Sequence, residues 1–168
     1  MQIMMRGWLG IDPGATGAVA LILEDGRVVI RDWPGDECAL ADLCSELSDL
    51  AAVDLAVIES QQAMPKQGVV STFKLGMNYG MWLSALAGQG WSFRTVRPAE
   101  WKKGLGYPAG KKGSKSHSLT LARRLYPQAA HMLSRVCDHG RAEALLLAHL
   151  AKGGIVVEEE ISFEEAIA

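Results

Sequence analysis

The sequence predicts a mixed α/β fold, a single five-stranded sheet covered by helices. Three observations predict it. Three short apolar runs near the N-terminus are separated by turn residues, as in an antiparallel meander. The later apolar runs alternate with segments of helical spacing, as in parallel sheets. The resulting order, β-β-β-α-β-α-β-α-α, fits one mixed sheet with helices on its faces.

The first strand is read from Gly7 to Asp12, with Trp8, Leu9 and Ile11 apolar. Pro13-Gly14-Ala15-Thr16-Gly17 is a turn, and Ala18 to Leu23 is the second strand. Asp25-Gly26 is a hairpin signal, leading to a third strand from Arg27 to Asp32. Leu40, Leu43, Cys44, Leu47, Leu50 and Ala51 have helical spacing. Asp54 to Glu59 is a short strand, and Ser60 to Gly68 a polar loop. A long helix from Val69 to Ala87 contains Gly76, Gly80, Ser84 and Ala85, small residues that permit close packing. Trp91 to Val96 is a fifth strand, and Pro98 opens a short helix to Lys103. A Gly-rich loop then precedes a helix capped by Ser114 or Ser116 and stopped by Pro127. Ala142 to Ala151 is the closing helix, built of good helix formers.

At 168 residues the chain is one domain by length, residues 1–152, with an acidic C-terminal tail at 153–168. Cys38, Cys44 and Cys137 form no CxxC pair and fit free thiols in a reducing cytosol. No secretory signal and no apolar run long enough for a membrane span is present. The net charge of −2 hides an asymmetry. Nine basic residues lie between Arg94 and Arg124, opposed only by Glu100. Such a block marks either a side facing a polyanion or a solvated surface.

Glu143 poses the chemical question. Its i+3, i+4 and i+7 partners are Leu146, Leu147 and Leu150, so it lies on the face that should be buried. A bare carboxylate there is costly unless an arginine, a proton or a metal compensates it. Asp12 and Glu59 each end a strand. If those strands are parallel neighbours, both acids meet at one sheet edge, where ligands sit in open α/β sheets. The last helix can bring Glu143, with Asp138 or His139, over the same edge. An all-oxygen acidic set suits Mg²⁺, with Mn²⁺ able to substitute. Two such ions about 3.5–4 Å apart support attack of water on a phosphodiester. Each acid also has a plain structural reading. Asp12 can form an Asx turn, Glu59 can be a surface strand end, Asp138 can cap the helix, and Glu143 can pair with Arg135 or Arg141.

Gly10-Ile11-Asp12-Pro13-Gly14-Ala15-Thr16-Gly17 resembles the first motif of the RuvC-type Holliday junction resolvases. Val57-Ile58-Glu59 resembles their second, and Ala142-Glu143-Ala144-Leu145-Leu146-Leu147-Ala148 their last acidic helix. The resemblance covers roughly residues 7 to 152 and is nearest the phage and organellar branch. It implies an RNase H-like fold and a cytoplasmic enzyme of a bacterial or phage-infected cell. It also implies a homodimer whose two Mg²⁺-dependent sites nick symmetric strands of a four-way DNA junction, with no nucleotide cofactor. The implied metal set is Asp12, Glu59, Asp138 and Glu143, with His139 an alternative to Asp138. Asp138 and Glu143 are five residues apart, so a regular helix cannot point both inward.

Arg97, Lys102, Lys103, Lys111, Lys112 and Lys115 are the expected phosphate contacts, since ammonium and guanidinium groups neutralise the backbone without reading sequence. Gln61 and Gln62 can bond to bases, and Met64 beside Pro65 can act as an apolar wedge. Met77, Met81, Trp82 and Leu86 on the long helix serve either core or dimer surface. Three rival readings remain. The first motif also resembles the phosphate hairpin of actin-like and sugar-kinase ATPases, but the chain has no second Gly-rich hairpin. A less selective RNase H-like nuclease acting on flap or branched DNA, and a non-catalytic branched-DNA binding protein, are the others.

Overall fold

The computed structural model of the protein describes residues 4–107 and 114–153. Its strands are β1 (Arg6–Asp12), β2 (Ala18–Leu23), β3 (Val28–Asp32), β4 (Ala52–Glu59) and β5 (Phe93–Val96). Its α-helices are α1 (Glu37–Leu50), α2 (Val69–Gly88), α3 (Pro98–Gly104), α4 (Ser114–Leu125) and α5 (His139–Gly153). The sheet order is β3-β2-β1-β4-β5. β1, β2 and β3 form the antiparallel meander, while β4 and β5 run parallel to β1. This is the expected RNase H-like arrangement.

Alternation along the strands divides the core. Leu9, Ile11, Leu21 and Ile58 pack on one side against Leu40, Leu47, Trp82 and Leu86 of α1 and α2. Ala20, Ile22 and Val57 face the other side, under Leu145, Leu146 and Leu147 of α5 and Leu121 of α4. At the centre of that second side stands Gly10. A Cβ on it would lie 2.1 Å from both the Ala144 carbonyl oxygen and the Ala148 nitrogen. The α5 backbone therefore rests directly on β1, and only glycine leaves room for it.

The differences from expectation lie at ends and connections. β4 begins at Ala52, whose N–H bonds to the Met5 carbonyl at 2.8 Å, and β5 is shorter than expected. Pro127 ends α4 as expected, but two 3-10 turns follow, Pro127–Leu133 and Val136–Asp138. The first buries Ala129 and Leu133, and the Arg123 guanidinium braces it through the Leu133 carbonyl, Nε donating at 2.9 Å. Arg123 is thus structural rather than part of a free basic face. On α2, Trp82 and Leu86 are core, whereas Val69, Val70, Phe73 and Met77 are exposed. Among the described residues no helix is long and apolar enough to cross a membrane. The expected acidic tail beyond 153, and Lys111 and Lys112, lie outside the described residues.

Replacing Gly10 should test the contact between strand and helix. Gly10→Ala should lower stability by at least about 1–3 kcal/mol, the usual cost of overpacking, and Gly10→Val by more. Urea unfolding measures this; unchanged midpoints would show that α5 can lift away freely.

Candidate active site

Parallel pairing of β1 with β4 sets Ile11 beside Ile58, so Asp12 and Glu59 leave adjacent strands at the same edge. Asp12 then enters the predicted turn: its Oδ1 accepts the Gly14 N–H at 3.1 Å, an Asx turn. The structural and site readings of Asp12 are therefore compatible. Gly140, in the first turn of α5, comes down on the same turn. A Cβ there would lie 2.4 Å from the Thr16 carbonyl oxygen and 3.3 Å from Asp12 Oδ2. One turn later α5 presents Glu143, which is buried.

Each acid has a different compensation. Glu59 Oε2 accepts the Trp101 indole N–H at 2.7 Å, and its Oε1 accepts a long 3.4 Å bond from Gln61. Glu143 Oε1 accepts the Ser118 hydroxyl and the Lys102 ammonium, both at 3.0 Å. Tyr107 donates in turn to Ser118 at 2.9 Å, and the Lys102 Nζ lies 5.0 Å from the Trp101 ring centre. The arginine pairing considered for Glu143 is not what occurs; a lysine fills that role. Lys102, an expected phosphate contact, is turned toward Glu143 in this structure, and Gln61 lies beside Glu59.

Asp138 is bonded by arginine in this structure rather than by the groups that hold the other three acids. Its oxygens accept the Arg135 backbone N–H at 2.8 Å and the Arg135 guanidinium at 2.8 and 3.0 Å. Arg141 lies 4.0 Å away and bonds Asp32 at 2.6 Å through Nε. Asp138 thus closes the 3-10 turn before α5. It belongs to an Asp32–Arg141–Asp138–Arg135 chain of charges beside a cleft of about 260 Å³. His139, by contrast, is near enough for its charge to act on Asp12.

Burial dominates the electrostatics. It pushes the Asp12 carboxyl up to about 6, with the charge of Glu143 adding to the rise and Lys102 and His139 opposing it. Burial likewise pushes Glu59 up to about 7; the Trp101 bond opposes this, and Asp12 and Glu143 add to it. Asp12, Glu59 and Glu143 therefore share one field. Among the described residues, however, no three His, Cys, Asp or Glu side chains stand close enough to hold a metal ion as they are. The cation present in their midst is Lys102.

Trp101, Tyr107 and Ser118 were not singled out from sequence. Ser118 carried a signal, since it shares a helical stripe with Ala122, both fully buried, and so needs a partner. Trp101 carried none beyond its neighbour Lys102. Of the DNA-contact candidates, Lys103, Lys115, Gln62 and Met64 are exposed, and Arg97 is held 3.6 Å from Glu100. The loop after β4 is folded at its tip: Gln67 donates its backbone N–H to the Met64 carbonyl and accepts the Met64 N–H in return.

Raised carboxyl pKa values make a signed prediction. Between about pH 4 and about pH 7 the folded state retains protons on Asp12 and Glu59 that the unfolded chain has released. In chelator, wild-type protein should therefore lose thermal stability as pH rises through that window. An Asp12→Asn, Glu59→Gln double variant should lack that component. Parallel melting profiles for the two proteins would show that the two carboxyls are not strained in this way.

No family model matches the chain. A stretch of 96 residues, 57% of the chain, is 36% identical to a protein described as Holliday junction resolvase MOC1, chloroplastic, from Chlamydomonas reinhardtii. The chain spans about a tenth of that protein's length, 11%. Two solved structures of RuvC from Thermus thermophilus are similar in fold. One, in complex with a Holliday junction substrate, has a TM-score of 0.51 and 20% identity and covers 90% of this chain and 96% of that one. The other has a TM-score of 0.50 and 20% identity over 90% and 97%. The chain thus has the RNase H-like fold of the RuvC resolvases, with a candidate site where β1, β4 and α5 meet.

Proposed function

We propose that the chain is a divalent-metal-dependent endonuclease that resolves four-way DNA junctions. The observation that carries this reading is the meeting of half-buried Asp12 with buried Glu59 and Glu143 at one edge of a RuvC-like sheet. Three oxygen donors with a surplus of negative charge fit Mg²⁺ or Mn²⁺ better than a softer ion. Support also comes from the similarity to the chloroplastic Holliday junction resolvase and to RuvC in complex with a junction.

In this reading Asp12, Glu59 and Glu143 are metal-holding residues, two ions to a site, and Asp138 or His139 completes the set. Bound there, the ions would activate water and neutralise charge on the leaving oxygen. The Gly14 N–H orients Asp12, the Trp101 indole fixes Glu59, and Ser118 fixes Glu143. Lys103 and Lys115, exposed on α3 and α4, neutralise phosphates. The exposed Val69, Val70, Phe73 and Met77 on the first half of α2 support a homodimer, because contiguous apolar patches on a soluble surface mark contact sites.

The test is cleavage of a synthetic four-way junction, matched duplex and flap DNA, with and without Mg²⁺. Paired symmetric nicks on the junction alone are expected. Equal cutting of all three substrates would leave a less selective nuclease, and binding without cutting would leave a branched-DNA binding protein. Asp12→Asn and Glu143→Gln should each abolish cleavage while junction binding survives; retained cutting removes that residue from the site. Lys115→Ala should weaken junction binding and reduce its logarithmic salt slope by about 1. An unchanged slope would count against a phosphate contact there.

A further inference from the structure

We infer that Lys102 is a built-in substitute for the metal: its ammonium occupies the carboxylate cluster in the metal-free protein and must leave Glu143 when a divalent ion enters. This inference rests on the metal-dependent reading above and adds a role that the reading does not need.

The argument is one of charge and place. Lys102 Nζ lies 3.0 Å from Glu143 Oε1. Its charge also acts on Asp12 and on Glu59, so one ammonium sits in the field of all three acids. Its side chain is only 23% exposed, and the Trp101 and Tyr107 rings stand 5.0 and 5.7 Å from its charge. That setting is a constructed cradle, unlike the solvated setting of its neighbour Lys103. A divalent ion at Glu143 meets the ammonium already on Oε1, and like charges at contact distance repel strongly where water is scarce. Metal entry therefore includes the cost of breaking the Lys102–Glu143 pair. In return, the ammonium compensates the buried Glu143 carboxylate in the metal-free site.

The α3 segment makes such an exchange feasible. Lys102 follows Trp101, whose indole is bound to Glu59. The ammonium can therefore swing on its own four-carbon stem while the helix stays fixed through Trp101. No backbone movement is required for the cation to leave.

The experiment measures Mn²⁺ binding by calorimetry and melting temperature, with no DNA present. Lys102→Met keeps the length and removes the charge. It should melt lower than wild type in chelator, bind Mn²⁺ roughly five- to tenfold tighter, and gain more thermal stability from the ion. Lys102→Arg, which restores a cation, should hold Mn²⁺ affinity near the wild-type value. Lys103→Met removes a neighbouring charge that does not touch Glu143, and its affinity should not change. Equal or weaker Mn²⁺ binding by a folded Lys102→Met would overturn the inference, as would an equal gain in Lys103→Met, which would reduce the effect to net charge. If Lys102→Met does not fold, the Lys102→Gln variant carries the same comparison. Wild-type protein that binds no Mn²⁺ would overturn the metal reading itself, and this inference with it.

Discussion

The structure depends on backbone-to-backbone contact between α5 and β1. At Gly10 the helix lies so close that a Cβ would overlap the Ala144 carbonyl and the Ala148 nitrogen. At Gly140 the same helix touches the turn that follows Asp12. Two glycines, one on each element, thus fix both the height and the end of α5 over the sheet. Glu143 sits between these contacts in sequence, so its position is set by packing before any charge is considered. The apolar stripe of Leu146, Leu147 and Leu150 then buries α5 along its length. That burial supplies the free energy that holds an acid in the interior.

Two buried carboxylates, Glu59 and Glu143, and the half-buried Asp12 would oppose folding if left alone. Each is relieved by a different group: a backbone N–H for Asp12, an indole for Glu59, and a hydroxyl with an ammonium for Glu143. The relief is partial, since Asp12 and Glu59 still hold their protons into the range of about 6 to 7. Incomplete compensation is what a cation-binding site requires. A fully satisfied network would have no affinity left for a metal, and an unsatisfied one would not stay folded without it.

Much of this was legible because period and punctuation speak directly to secondary structure. Asp25-Gly26 and the Pro13–Gly17 turn delimited β2 at its observed ends. The strand-end positions of Asp12 and Glu59 needed only the parallel pairing to become neighbours. What was not legible depends on contacts far apart in sequence. Nothing local tells that Lys102 will meet Glu143, 41 residues on, rather than solvent. Nor does it tell that Trp101 will donate to Glu59, 42 residues away. The 3-10 turns after Pro127 were missed because three or seven residues are too few to show a period.

Asp138 has a different set of partners from the other three acids. It precedes α5 and is buried, as a ligand would be. Its neighbours Arg135 and Arg141 lie three residues before and after it, and Asp32 at the end of β3 holds Arg141. These four charges form a clamp that ties the start of α5 to the far side of the meander. Arg135 and Arg141 hold the Asp138 carboxyl below the usual carboxylate range, and Arg141 does the same for Asp32. The shift is opposite in sign to those of Asp12 and Glu59. Two groups of acids therefore flank the first turn of α5. One is satisfied by arginine at the start of the helix; the other is bonded by a backbone N–H, an indole, a hydroxyl and an ammonium. Guanidinium partners, rather than burial, distinguish the first group from the second.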